Sequence, residues 1–178
     1  MSFRKLYDFL NELQDNNSKE WMDDHRKHYV ELREWFISWL NDMNAQLANL
    51  DKEYTWTEGR KSMNRINNNL LFHPNKPIYK DHFAAGLDHA SKQGDFYIQI
   101  GPKCSLLAGG YWKPEMKLLT SIREAIDYNG EEFMAILDKP SFKKTFGDMV
   151  NDDPLKSAPK GFPKDHKYIN LLRHRTFA

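Results

Sequence analysis

Asp95-Phe96-Tyr97-Ile98-Gln99-Ile100-Gly101-Pro102-Lys103-Cys104-Ser105-Leu106-Leu107-Ala108-Gly109-Gly110-Tyr111-Trp112 is the stretch whose reading decides the fold. After Gly94, the aromatic and β-branched run 95–100 has the texture of a strand. Gly101-Pro102-Lys103 reads as a turn, and 104–112 as the returning partner strand. The chain therefore carries an antiparallel hairpin near its middle. The Gly109-Gly110 pair marks a bulge or a close backbone approach. Cys104, inside the returning strand, reads as a buried, inert thiol rather than a nucleophile.

Upstream of the hairpin the pattern is helical. Phe3, Leu6, Tyr7, Phe9, Leu10 and Leu13 recur at helical spacing behind Ser2, a natural N-cap. Asp15-Asn16-Asn17 interrupts them, and Ser18 is placed to cap a second helix. Tyr29, Leu32, Phe36, Trp39 or Leu40, Met43, Leu47 and Leu50 then form one apolar stripe, with no Pro or Gly over 18–50. An unbroken helix there would run about 50 Å at 1.5 Å per residue, so a break is expected near 28–32. Met63 to Phe72 reads as extended despite the poor β propensity of Asn67-Asn68-Asn69. His73-Pro74-Asn75-Lys76-Pro77 is a turn-rich loop, and Tyr79 to Leu87 reads as another strand.

Downstream, Pro114 suits the first position of a helix whose apolar face is Met116, Leu118, Leu119, Ile122, Ala125 and Ile126. Asn129-Gly130 ends that helix, and short helices follow over 133–137, 141–146 and 168–172. Residues 151–164 are loop-like. Helices, then strands, then helices is the α+β pattern: one domain over 1–178, with a central antiparallel sheet and N- and C-terminal helices packed against it. Residues 1–50 are helical, 60–112 mainly strands and 114–178 mainly helical.

Composition limits the class. Of 178 residues, 40% are hydrophobic and 13% aromatic, which excludes a disordered chain. Mean hydropathy is −0.78, so a compact core must sit under a very polar surface. No apolar stretch reaches the roughly 18–20 residues of a membrane span, and the N-terminus lacks a secretory signal. One cysteine excludes an internal disulfide. A soluble, cytoplasmic protein is the expectation.

Charge is unevenly distributed. Residues 1–58 hold 7 basic and 12 acidic side chains, whereas 139–178 hold 9 and 4. Residues 59–80 carry Arg60, Lys61, Arg65, Lys76 and Lys80 with no acid at all. Such a segment can hold anions although the formal net charge is only +1. Arg65, Lys76 and Lys80, with Tyr79 beside them, suit a phosphate or a nucleic-acid backbone, and Arg65 could grip an oxyanion with two donors. The plainer alternative is a solvated basic face paired with the acidic helices.

Three other constellations stand out. Trp21, His25 and Tyr29 fall at i, i+4 and i+8 of a helix, either as a ligand face or as a packing seam. His25 and His28 with Asp23 and Asp24 could suit zinc, but Arg26 and Lys27 repel a cation and the His-Glu-x-x-His pattern is missing. His82 and His89 carry no metal spacing, so neither a metal nor a cofactor is expected. Trp112 offers a stacking plane beside the glycine pair, or else closes the core. Phosphate-binding glycine loops, dinucleotide fingerprints and nucleophile elbows are missing from the sequence.

Several segments in order resemble the family grouped as domain of unknown function 2461. They are Asn16-Asn17-x-Lys19-Glu20-Trp21-x-x-x-His25-Arg26-x-x-Tyr29, Arg65-Ile66, Phe72 with Lys76-x-x-Tyr79-Lys80, Phe96 to Pro102, Gly109-Gly110-Tyr111-Trp112-x-Pro114, and Pro159-Lys160-Gly161-Phe162 with Asp165-His166. The resemblance implies a fold rather than a reaction. The family pattern has Arg-Asp-x-Arg-Phe leading into Asp-Lys-x-Pro-Tyr-Lys. Here those places read Asn68-Asn69-Leu70-Leu71-Phe72 and Asn75-Lys76-Pro77-Ile78-Tyr79-Lys80, without the arginines or aspartates. If that charged cluster is the family's site, this chain has altered or lost it. Members of that family tend to run further, whereas this chain stops at Arg175-Thr176-Phe177-Ala178, where a strand would begin, so it is either a naturally short form or a truncated one.

Two functional readings remain open. One is a binding module whose groove takes an anionic ligand or nucleic acid through Arg65, Lys76 and Lys80, with Tyr79 and Trp112 stacking and His25 and Arg26 nearby. The other is an enzyme on a phosphorylated small molecule, with His25 as acid–base group. A protein-interaction domain is the third possibility.

Overall fold

The computed structural model describes residues 1–88 and 94–178; His89 lies outside them. The chain forms two compact units, Met1–Gly109 and Gly110–Ala178. Among the described residues there are seven helices and three strands, in the order that makes the chain α+β.

In the first unit, α1 (Phe3–Asp15) starts where the Ser2 hydroxyl accepts the Lys5 N–H at 3.4 Å. Its buried face is Leu6, Phe9, Leu10 and Leu13. Full burial of each such side chain is worth about 1.5–3 kcal/mol. Ser18 caps α2 (Lys19–Asp24) by accepting the Trp21 N–H at 3.1 Å. α3 (Arg26–Leu50) follows, so the chain breaks at His25 and not over 28–32. The cause is local. The His25 ring stacks on Trp21 at 3.9 Å, and both its Nδ1–H and its backbone N–H end on the Trp21 carbonyl, at 2.8 and 3.0 Å. A side chain that competes for a backbone acceptor favours a helix end over a helix interior.

The stripe on α3 buries Leu32, Phe36 and Leu40, while Leu50, at the helix end, is exposed. Phe36 meets Phe83 edge-on at 5.5 Å. Within this face Asn44 is fully buried. It donates to the carbonyls of Leu40 (3.0 Å) and Thr57 (2.9 Å) and accepts the Tyr54 hydroxyl at 2.6 Å. Burial, assisted by the nearby Asp88 charge, pushes the Tyr54 phenol up to about 12. Thus one polar residue in an apolar stripe fastens the loop that leads to α4 (Gly59–Ser62).

The sheet is β1 (Phe83–Leu87), β2 (Asp95–Ile100) and β3 (Leu106–Gly110), in the order β1-β2-β3. β1 and β2 are antiparallel, with Phe83 opposite Ile100 and Leu87 opposite Phe96. The hairpin is present, but its return strand is shorter than 104–112. Ser105 stays in the turn, its hydroxyl bonded to the Gly101 N–H at 3.1 Å. Cys104 is exposed there, which corrects the reading of a buried thiol.

Residues 63–72 do not form a regular strand. Met63 faces Ala85 and Asn67 faces Tyr79 as isolated antiparallel bridges. Backbone bonds Asn64 N–H to Ala84 O (2.8 Å), Lys80 N–H to Ile66 O (2.8 Å) and Asn68 N–H to Ile78 O (2.9 Å) hold the pair together. β1 likewise starts at Phe83 and not at Tyr79. In this register the N–H and C=O of Tyr79 point away from Asn67, and the side chain of Asn17 takes both. Its Oδ1 accepts the Tyr79 N–H and its Nδ2 donates to the Tyr79 carbonyl, each at 2.9 Å. An asparagine amide therefore stands where a third strand would pair.

The second unit has its own core of Leu119, Ile126, Leu171, Leu172 and Phe177. α5 (Met116–Leu137) begins two residues after Pro114 and continues past Asn129-Gly130 with a kink, Asn129 having φ −133° and ψ 32°. The Tyr168 ring lies against Gly130, where a Cβ would sit 2.5 Å from it. α6 (Pro140–Phe146) and α7 (Ile169–Leu172) follow. Gly110, at φ +124°, lets the Phe177 carbonyl come within 2.1 Å of where a Cβ would stand. Tyr111 and Phe177 exchange backbone bonds at 2.8 and 2.9 Å. Buried Arg123 donates from Nε to the Leu172 carbonyl (2.8 Å) and from Nη2 to the His174 carbonyl (3.1 Å).

Two outcomes are expected. Asn17→Ala leaves both Tyr79 backbone groups without their partner and costs about 1–3 kcal/mol in urea unfolding; a loss under about 0.5 kcal/mol would mean that the amide is dispensable. His174 is buried and its pKa lies below 6.5, chiefly through burial. The unfolded chain therefore takes up the proton first as pH falls, so stability is complete above about 6.5 and declines below it. His174→Gln should flatten the fall in unfolding free energy between pH 7.5 and 5.5, and an unchanged slope would assign that fall to other groups.

Candidate functional site

The sequence-derived candidates separate into three places. Arg65, Lys76 and Lys80 share the first. Arg65 and Lys76 are exposed and Lys80 is half-buried. The Lys80 ammonium donates to the Arg65 backbone carbonyl. Burial first, and then the charges of Arg65 and Lys76, hold the Lys80 pKa below its usual value. Among the described residues no carboxylate pairs with any of these three. Arg60 is taken by Glu34, with one contact at 3.1 Å, and Lys61 reaches Glu58 at 3.8 Å. The first acid downstream, Asp81, is engaged by His82 (3.0 Å) and Lys103 (3.3 Å). Burial raises the Asp81 pKa, but these two partners outweigh it and hold the carboxyl below its usual range.

The fold explains why these residues meet. Pairing of 66 with 80 and of 68 with 78 puts Arg65 beside Lys80 and closes the loop that carries Lys76. Asn68 adds a bond from Nδ2 to the Pro77 carbonyl at 2.9 Å. Tyr79 alternates to the opposite side and is buried, 4% exposed, in the core with Ile66 and Phe83. It is a wall of the unit rather than a stacking surface. Arg26 pairs with Asp23 at 2.7 Å, and that bond, with help from the Tyr79 hydroxyl, raises its pKa.

His25 belongs to the second place, an open cleft of about 320 Å³ between α1 and the start of α3. Asp8, Glu12 and Glu31 line it with His25, His28 and Lys5, above Phe9. Phe9 stacks on His28 at 5.5 Å and packs on Trp21 at 5.5 Å and Tyr29 at 6.3 Å. Trp21, His25 and Tyr29 thus act as a packing seam. Since a carbonyl can only accept, Nδ1 of His25 carries the hydrogen given to Trp21, leaving Nε2 as its free nitrogen. Three carboxylates against one lysine repel a phosphate. Among the described residues no group of three His, Cys, Asp or Glu side chains is arranged to hold a metal.

Trp112 belongs to the second unit. It is 59% exposed, with Lys113 Nζ 5.6 Å from its ring centroid. It does not close a core, and its plane is open to solvent. Phe162 packs in the core of this unit, and His166 pairs with Asp127 at 2.8 Å, so the motif 159–166 has structural work.

Sequence reasoning missed the acids of the cleft and the exposure of the loop tip, where Leu71 is 85% and Phe72 72% exposed. Asp8 and Glu12 were legible as an i, i+4 pair on α1, but the approach of Glu31 was not. The Leu70-Leu71-Phe72 run resembles buried strand sequence, and only the closure of the loop at Asn68 and Ile78 turns it outward.

No helix among the described residues is long and apolar enough to cross a membrane. No curated protein and no solved structure matches the chain. The family described as conserved hypothetical protein (DUF2461) matches residues 5–178, essentially the whole chain. The order of motifs that suggested it therefore has its explanation: the chain belongs to the DUF2461 family.

Proposed function

We propose that this protein is a binding module for a phosphate-bearing ligand, held by Arg65, Lys76 and Lys80. The observation that carries this reading is Lys80, half-buried beside two like charges and paired with no carboxylate among the described residues, its neighbour Asp81 being engaged by His82 and Lys103. Like charges gathered without a counter-ion oppose one another, and an anion seated among them relieves that cost. Arg65 supplies a two-donor grip and the lysines act as point charges. The rigid stem beneath, fastened through Tyr79 to Asn17, keeps the cations in place before a ligand arrives.

The cleft at His25 supports the enzyme reading less well. A phosphorylated substrate would meet the carboxylates of Asp8, Glu12 and Glu31 there. The cytoplasmic location and single-domain organisation suggested by composition and length stay part of this proposal.

The test is a thermal-shift panel of inorganic phosphate, nucleotides and a single-stranded oligonucleotide. A ligand at 100 times its Kd adds about 2.7 kcal/mol, which raises melting by roughly 5–10 °C in a chain of this size. Arg65→Ala with Lys76→Ala, both exposed, should abolish the shift and leave the melting temperature of the free protein nearly unchanged. Binding that survives the double substitution, or a flat panel, would overturn the proposal.

A further inference from the structure

The loop 69–77 brings together two features that soluble proteins usually keep apart. Its base is closed by the Asn68–Ile78 backbone bond and the Asn68–Pro77 side-chain bond, so the loop projects from a fixed stem. Turns inside it, from His73 N–H to Asn69 O (3.0 Å) and Lys76 N–H to His73 O (3.1 Å), give its tip a defined shape. The tip presents Leu70, Leu71 and Phe72, with Ile78 exposed at the base. Such a contiguous apolar group at the surface marks an interaction site. Lys76 lies in the same loop and Arg65 and Lys80 on the stem that carries it, a basic collar of three cations without carboxylate partners among the described residues.

We infer that this loop docks the protein on an anionic phospholipid surface, Leu71 and Phe72 entering the acyl boundary while Arg65, Lys76 and Lys80 engage headgroup phosphates. The inference rests on the phosphate-binding reading and names the form in which the phosphate is met. The chemistry of the tip favours a bilayer over a nucleic acid. Two of its three apolar residues, and Ile78 at the base, are aliphatic and have no ring face on which a base could stack, and Phe72 is the one aromatic among these apolar residues. The loop projects from a closed base with Leu71 and Phe72 largely exposed, as an inserting element does. A bilayer places phosphates directly above an apolar layer, which matches a basic collar around an apolar tip. Binding through one loop and three cations would be reversible.

Co-sedimentation of the full chain with vesicles tests this, using phosphatidylcholine alone and phosphatidylcholine mixed with anionic phosphatidylglycerol. The protein should bind the mixed vesicles and leave the neutral ones, and added salt should weaken the binding. Leu71→Ser with Phe72→Ser should lower vesicle affinity by roughly tenfold or more. The same variant should keep its response to inorganic phosphate and nucleotides, and its melting temperature, because both side chains are exposed. Equal vesicle binding by wild type and this variant would overturn the role of the tip. Equal binding to neutral and anionic vesicles would overturn the role of the collar. If the protein ignores vesicles yet binds inorganic phosphate or nucleotides, the membrane inference fails and the phosphate-binding reading stands. If it binds the oligonucleotide tightly and ignores vesicles, a nucleic acid replaces the bilayer. If it binds no anion in any form, both readings fail.

Discussion

The amide of Asn17 satisfies both backbone polar groups of Tyr79, and the first unit is organised around that pair of bonds. Without it, the outer edge of the segment 78–80 would carry an unpaired donor and acceptor beside a buried ring. With it, the short break between α1 and α2 becomes the anchor for an irregular, Asn-rich pair of chain segments. That pair carries Arg65 and Lys80 and sends the loop 69–77 outward. An ordinary strand at 63–72 would alternate side chains across a sheet. The anchored bridges instead bury Ile66 and Tyr79 while Arg65 and Lys76 stay exposed.

The electrostatics of the first unit follow from this geometry. Its acids and bases do not simply neutralise one another. Glu34 and Glu58 take Arg60 and Lys61, and Asp81 takes His82 and Lys103. Asp8 and Glu12 of α1 and Glu31 of α3 line the His25 cleft. Arg65, Lys76 and Lys80 stand among the cations that no carboxylate of the described residues pairs, and they share one stem and loop. Their significance lies in spacing rather than in net charge, which is only +1 for the chain. The second unit spends its polar groups differently. Arg123 is buried to hold the carbonyls of Leu172 and His174, and the Tyr111–Phe177 bridge closes the unit on its own C-terminal residues.

Family membership places these features in a wider setting without supplying a reaction. Motifs that suggested the family divide by role once located. Asn17, Trp21, Gly110, Phe162 and His166 hold backbone or core together. Arg65, Lys76 and Trp112 face solvent, and Lys80 is half-buried beside Arg65. At Leu70-Leu71-Phe72 this chain's surface departs from a simple basic patch.

The helices with their caps at Ser2 and Ser18, the central hairpin, the α+β class and the acid-free segment 59–80 were legible in the sequence. Each depends on periodicity, on turn residues or on local composition, which are properties of neighbours along the chain. The break at His25, the reduction of 63–72 to isolated bridges, the exposure of Cys104 and Leu71, and the burial of Tyr79, Asn44 and Arg123 were not. Each of those depends on which distant atoms supply a hydrogen bond or cover a ring. Asn17 reaches Tyr79 across 62 residues, and Arg123 reaches Leu172 across 49. Sequence thus determined the elements and the inventory of charge, and tertiary structure decided which polar groups are consumed in holding the fold and which remain free to bind.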